Sequence, residues 1–298
     1  EEIMNLAEEK GVEIAFEASV GGGIPIIDPL KHSLIANRID SIMGIVNGTT
    51  NYMLSRMDED GLDYDTALKE AQERGFAEAD PTADVDGLDA AAKIAILASI
   101  AFNSRVTMDQ VYTEGIRRIS PVDLAMAHDS GYVVKLVAHA RRTEKGIDVR
   151  VHPTMIPESH QLATVNGVFN AIFVRGNMLG DAMFYGSGAG KLPTASAVVA
   201  DVVDAAKHLH RTVVTRWDSN TLELVPNADA KRRFFVRIHG EESVLKSRVD
   251  EVFGQVEFVK ADDVEGEFAV ITGEMTEAEY AQKAEEMPEV VKMIRMAD

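Results

Sequence analysis

Gly75-Phe76-Ala77-Glu78-Ala79-Asp80-Pro81-Thr82-Ala83-Asp84-Val85-Asp86-Gly87-Leu88-Asp89-Ala90-Ala91-Ala92-Lys93 decides how this chain is read. Five acidic residues and one lysine fall between Glu78 and Lys93. From Gly87 to Phe102 the only charged residues are Asp89 and Lys93; the rest is apolar or small, the pattern of a buried helix. Asp89 and Lys93 are four apart, so on a helix they share a face. Two readings are open. The pair is a solvated i,i+4 contact worth about 0.2–0.5 kcal/mol, or it is a working pair on a helix that otherwise avoids charge, since an uncompensated buried charge is costly.

The remaining composition narrows the classes. At 298 residues the chain can bury a sizeable core and hold two or three domains. A net charge of −19 argues against nucleic acid or an anionic membrane as partner, since both need basic patches. Arg141-Arg142 and Arg232-Arg233 read as isolated solvated pairs, and Glu277, Glu279, Glu285 and Glu286 as a solvated helix face. The absence of cysteine excludes disulfides, thiol nucleophiles and thiolate metal sites. The histidines show no metal-ligand spacing; His208 and His210 fall on different helix faces. Scattered methionines read as core filling, and Trp217 beside Asp218 as an interdomain anchor. No apolar run is long enough to span a membrane and no secretory leader is visible, so the expected compartment is the cytoplasm.

Along the chain, Glu1–Lys10 reads as the end of an amphipathic helix stopped by Gly11, and Val12–Val20 as a strand followed by the turn Gly21-Gly22-Gly23. Arg38–Val46, Tyr132–Arg141, Ile147–His152, Val168–Val174 and Ala182–Tyr185 read as strands of a mixed sheet covered by helices on one face. The helices are Thr50–Met57, Tyr64–Arg74, Gly87–Phe102 and Pro121–Ser130, the last with Ser120 as N-cap. Thr194–His210 reads as a closing helix whose Ala197, Val198, Ala200, Val202, Val203 and Ala206 pack inward. Asn227–Lys231 reads as a linker. Beyond it come strand Phe234–Ile238, helix Ser243–Phe253, strands Val256–Val259 and Phe268–Thr272, and helix Thr276–Glu285. The fold class is therefore α/β (α+β). No G-x-G-x-x-G or P-loop is present; Gly186-Ser187-Gly188-Ala189-Gly190-Lys191 is a near miss.

The Gly75–Lys93 stretch resembles the signature of homoserine dehydrogenases. Phe16–Ile26, Asn47-Gly48-Thr49-Thr50-Asn51-Tyr52, Gly186–Gly190 and Pro193-Thr194-Ala195-Ser196 are similar to other segments of that family, and the likeness runs from the first residue to about residue 215. The resemblance implies reversible hydride transfer between NAD or NADP and L-aspartate 4-semialdehyde, giving L-homoserine. It implies Lys93 as the proton-handling lysine, with Asp89 gripping the hydroxyl or carbonyl end or orienting that lysine. It also implies Glu78 on the substrate's α-ammonium, Asp84 holding the carboxylate cluster, Gly48 and Thr49 near the substrate, and Phe76 touching it through backbone. Gly188, Ala189 and Gly190 are then where this region meets the cofactor. Glu17, Val20, Gly22 and Ile24 match a monovalent-cation site (Na⁺ or K⁺) built mainly from backbone carbonyls.

The same resemblance implies three parts: residues 1–27 as the remnant of a Rossmann-type nucleotide domain, 28–226 as the catalytic and dimerisation domain, and 232–298 as a small ACT-like βαββαβ domain. One part of the catalytic sheet is the homodimer interface in that family. The segment His239-Gly240-Glu241-Glu242-Ser243 lacks the proline of the usual ACT ligand loop, so threonine sensing and a purely dimer-stabilising role are both open. With the nucleotide domain expected upstream of Glu1, the chain by itself is expected to turn over poorly or not at all. The competing class is a non-enzymatic homodimeric amino-acid-binding or regulatory fragment; a third reading is another dehydrogenase on the same scaffold.

Overall fold

A computed structural model describes residues 2–208, 221–259 and 264–297. Helix α1 (Glu2–Lys10) ends at Gly11, whose φ of +63° is left-handed backbone that glycine adopts without a Cβ penalty. The next stretch departs from expectation. Val12–Val20 forms no strand; it runs irregularly into one 3-10 turn, Glu17–Ser19. A strand needs a neighbour for its amides, and among the described residues none pairs with it.

The region that follows alternates as its patterns dictate. It comprises β1 (Ile39–Ile45), α2 (Gly48–Asp60), α3 (Tyr64–Glu73), the single turn α4 (Thr82–Val85), α5 (Leu88–Phe102) and β2 (Tyr112–Thr113). It continues with α6 (Pro121–Asp129), β3 (Tyr132–Thr143), β4 (Gly146–Pro157), β5 (Phe169–Gly176), β6 (Gly180–Ser187) and α7 (Lys191–Lys207). A C-terminal unit follows: β7 (Lys231–Arg232), β8 (Phe234–His239), α8 (Glu242–Phe253), β9 (Glu257–Val259), β10 (Glu267–Ile271), β11 (Met275–Thr276), α9 (Glu277–Glu285) and β12 (Val290–Met296).

Among the described residues one sheet runs β6-β5-β1-β3-β4-β12-β8-β10-β9, with β2 beside β4. Helices α2, α5 and α6 pack on one face of its first half. Alternation along β3 sends Val134, Leu136, Ala138 and Ala140 into that helix layer, where Ile94, Leu97 and Ala98 of α5 and Met53, Leu54 and Met57 of α2 meet them. Each fully buried Leu or Ile there contributes about 1.5–3 kcal/mol. On the opposite face Val137, Ala171 and Phe173 are covered by Leu162, Ala163 and Val165.

Helix α7 also departs from expectation. Of the residues predicted to pack inward only Ala197 is buried, while Val198, Val202 and Val203 are 48%, 62% and 46% exposed. The helix is held near its start, by Pro193 against Gly23 and by Asp201, whose Oδ2 accepts the Glu17 N–H at 3.0 Å. Its apolar stripe therefore marks a face that the described residues leave uncovered. Trp217, Asp218 and His210 lie outside the described residues.

The C-terminal unit has its own core around Phe234, Val236, Phe253, Phe268, Val270 and Tyr280. Its four main strands lie in the order β12-β8-β10-β9. β12 also pairs in parallel with β4 through Arg295↔Thr154 and Met296↔Met155, so the two halves share one sheet.

Charge read as solvated turns out to seal this joint. Arg232 and Glu277 are buried and Arg141 is partly buried. The Asp148 carboxylate, on β4, accepts from Arg150 Nε at 2.6 Å, Arg232 Nη2 at 2.6 Å and Arg141 Nε at 3.3 Å. Glu277 receives Arg295 Nε at 2.5 Å and Nη2 at 2.9 Å. The Asn227–Lys231 segment is no free linker: Asn227–Asp229 is a 3-10 turn, and Asn227 Oδ1 accepts from Arg150 Nη1 at 2.9 Å. Composition counts such charges but does not show that the chain folds them onto one another.

Burial pushes the Asp148 carboxyl up, but Arg232 and Arg150, with Arg141, outweigh it and hold it below the usual carboxylate range. A group depressed in the folded state contributes stability above its unfolded value, about 3.9, and loses it as pH falls through the folded value. Asp148→Asn is therefore expected to cost about 3–5 kcal/mol at pH 7 by urea unfolding, because three guanidiniums lose their counter-charge. The difference from the unsubstituted chain should shrink below about pH 4.

Candidate active site

The site forms where β1 ends. Asn47 caps α2, its Oδ1 accepting the Thr50 N–H and the Thr50 hydroxyl, each at 2.9 Å. Those two donors leave the Asn47 amide nitrogen facing the other way. It donates to Asp84 Oδ1 at 2.7 Å and to Asp89 Oδ2 at 2.9 Å. Lys93 Nζ donates to the same Asp89 oxygen at 2.7 Å and to the Val46 carbonyl at 2.9 Å. The Lys93 and Asp89 side chains are 19% and 32% exposed, which decides between the two readings. They are neither sealed in the core nor on a solvated face; both are half-buried, in a recess at the end of β1 that stays open to solvent.

The loops around this recess are tied to it. The Thr49 hydroxyl donates to the Phe76 carbonyl at 2.7 Å, and the Phe76 ring meets Tyr52 edge-on at 4.8 Å. Phe76 is thus anchored by backbone and ring together. A Cβ on Gly48 would lie 2.9 Å from the Val168 carbonyl oxygen, so only glycine fits without a backbone shift. Glu78 is exposed, held through its backbone carbonyl by Gln72 Nε2 at 3.0 Å, and no hydrogen bond joins its carboxylate to the cluster. Lys93 pairs with one carboxylate, Asp89, which Asn47 ties to a second, Asp84, with Glu78 further out on the same loop, so the recess favours a ligand bearing a cationic group.

The glycine segments converge on the same strand end. Gly22 is left-handed, at φ +57°, and a Cβ there would lie 2.3 Å from the Gly188 oxygen. Gly23 N–H donates to the Ser187 carbonyl at 3.1 Å. Gly188 in turn lies on Asn170, whose Nδ2 donates to the Ile45 carbonyl at 2.7 Å. Gly188, Ala189 and Gly190 therefore stand beside the Gly21–Gly23 turn, and Gly188 is linked through Asn170 to Ile45, two residues before Asn47 in the chain. The Glu17 carboxylate is consumed: it accepts from the Ile26, Ile27 and Asp28 amides at 2.6, 2.8 and 2.6 Å. The carbonyls of Val20, Gly22 and Ile24, all on buried residues, receive no backbone amide among the described residues.

Sequence reasoning missed Asn47, both as a site residue and as the cap of α2. It also missed Asn170, which nothing in its strand pattern distinguishes.

A family model described as homoserine dehydrogenase matches residues 25–203. The chain belongs to the homoserine dehydrogenase family. It is 54% identical over 223 residues to homoserine dehydrogenase of Synechocystis sp., covering 74% of this chain and 50% of that protein. The homoserine dehydrogenase structure from Thiobacillus denitrificans matches with a TM-score of 0.90 at 38% identity, over 100% of this chain and 73% of that one. A hyperthermophilic archaeal homoserine dehydrogenase mutant in complex with NADPH matches with a TM-score of 0.60 at 34% identity, over 69% of this chain and 59% of that one. The chain spans about half the length of the curated relatives it matches.

Asn47→Asp isolates the bridging role, because aspartate keeps the helix cap but removes the amide donor and adds a third carboxylate. The variant should melt several degrees lower than the unsubstituted protein at pH 7. Equal melting temperatures at pH 7 would show that the bridge carries no strain-bearing role.

Proposed function

We propose that the full-length protein containing these residues is a cytoplasmic homoserine dehydrogenase, interconverting L-aspartate 4-semialdehyde and L-homoserine with NADP or NAD. The observation that carries this reading is the Lys93 ammonium held between Asp89 and the Val46 carbonyl, at the edge of a recess with excess negative charge. In the reducing direction Lys93 gives a proton to the substrate oxygen as the carbonyl becomes an alcohol; in reverse it takes that proton back. Asp89 orients the lysine, and Asp84, through Asn47, holds Asp89. Glu78 and the acidic recess receive the α-ammonium of the substrate.

The cofactor, when bound, supplies the hydride. Gly188, Ala189 and Gly190 fit its approach, since they form an exposed to half-buried loop with no side chain beyond one methyl. The carbonyls of Val20, Gly22 and Ile24 fit a monovalent cation, because buried carbonyls without donors are rare; Glu17 joins them through backbone. The family likeness supports a homodimer, and the exposed stripe of α7 supplies apolar surface for such contacts. The strand order β12-β8-β10-β9 supports an ACT-like unit.

The test is Lys93→Ala in the full-length protein, assayed by aspartate-semialdehyde-dependent NADPH oxidation. A loss of about 10²–10⁴-fold in kcat is expected. Equal rates would make the lysine structural, and no activity in either protein would favour the binding-module reading.

A further inference from the structure

The short helix α4 carries Asp84 but has only four residues, too few to hold its own shape. Its placement is therefore set by what packs on it: α5, α2 and the segment from Tyr112 to Ile116. Ile116 N–H donates to the Val85 carbonyl at 2.8 Å. A Cβ on Gly115 would lie 2.0 Å from that carbonyl oxygen and 2.5 Å from Asp86 Cα, so the two backbones are in full contact. On its other side the segment is held to β4 by the two-residue ladder of β2 and by the Glu114 N–H, which donates to the Val151 carbonyl at 2.8 Å. Arg117 also reaches Asp86, but both side chains are well exposed, and such pairs hold little.

The buried hold comes from the C-terminal unit. Arg295, 4% exposed on β12, donates through Nη1 to Glu114 Oε2 at 2.6 Å and through Nη2 to the Tyr112 hydroxyl at 3.0 Å. The guanidinium already has a two-point partner in Glu277. Glu114 takes the one guanidinium nitrogen, Nη1, that Glu277 leaves unbonded. An unbroken set of contacts then runs from Arg295 to Glu114, across Ile116 to Val85, and from Asp84 through Asn47 to Asp89 and Lys93.

We propose that Glu114 is a positioning residue for the candidate site, and that Arg295 of the C-terminal unit holds it in place. The inference rests on the homoserine dehydrogenase reading for its kinetic consequence, though not for its structural one. Loss of the Glu114 carboxylate frees the segment beneath α4, lets Asp84 draw away from Asn47, and loosens the grip on Asp89 and Lys93. Contiguous packed contacts of this kind can carry coupling between distant elements. In Glu114→Ala the two bonds from Arg295 to Glu277 remain, so the joint keeps its main ion pair.

The test uses the full-length protein. Glu114→Ala should lower kcat by about tenfold or more, with KM for aspartate semialdehyde within about threefold of the unsubstituted value. Glu114→Gln, which keeps an acceptor oxygen, should recover part of the rate. In an Asp84→Asn background Glu114→Ala should add little further loss, since the effect passes through Asp84. Amide hydrogen exchange over residues 82–87 should quicken in Glu114→Ala while that over 234–238 stays unchanged. Unchanged kcat together with unchanged exchange overturns the proposal, as does the same fold-loss in both backgrounds. If the unsubstituted full-length protein does not act on aspartate semialdehyde, the functional reading fails and exchange alone decides the linkage, with unchanged protection over 82–87 overturning it.

Discussion

Two carboxylates stand beside one ammonium at the end of β1, and what keeps them there is a single side-chain amide. Asn47 spends its oxygen on the first turn of α2 and so has only its nitrogen to offer, which binds Asp84 and Asp89 together. Without a donor between them, like charges at this spacing repel. With it, Asp89 keeps an oxygen turned to Lys93, and Lys93 is drawn to the Val46 carbonyl. The capping rule for helices and the geometry of the candidate proton-transfer group are one constraint seen from two sides.

The rest of the fold serves that strand end. The buried face of α5 fixes the helix carrying Asp89 and Lys93 against β1, β3 and β4. Asn170 fixes Ile45, and through Gly188 it brings the glycine loops to the same place. The C-terminal unit joins by extending the sheet across β12 and by burying an arginine-rich ion cluster. Such clusters contribute little net stability against apolar packing, but they tolerate few alternative arrangements. A joint of that kind suits a unit whose position must be specified.

Much of this was legible before the structure. The α5 pattern, the strands β1 and β3 to β6, the capped α6 and the alternation of strands and helices after Phe234 are local signals, and local signals survive folding. The Asp89–Lys93 pair was legible because helical spacing alone brings i and i+4 together. The failures have a common cause. Among the described residues, Val12–Val20 has strand composition but no strand to pair with, and α7 has an apolar stripe but little beneath it. In both, sequence reports what a segment could bury or bond, and not whether a partner is there. Arg232, Glu277 and Asn227 failed in the opposite sense, because their partners are distant in sequence and no period points to them. Asn47 needed the structure for both its roles, the cap on α2 and the bridge between α4 and α5.

The central claim is that the recess around Lys93 holds the reacting end of the substrate. The most direct measurement is a crystal structure of the full-length protein with L-homoserine bound. The account predicts the substrate hydroxyl within hydrogen-bond distance of Lys93 Nζ, and the α-ammonium turned towards Glu78. Homoserine bound on the C-terminal unit, with the Lys93 recess empty, would contradict it.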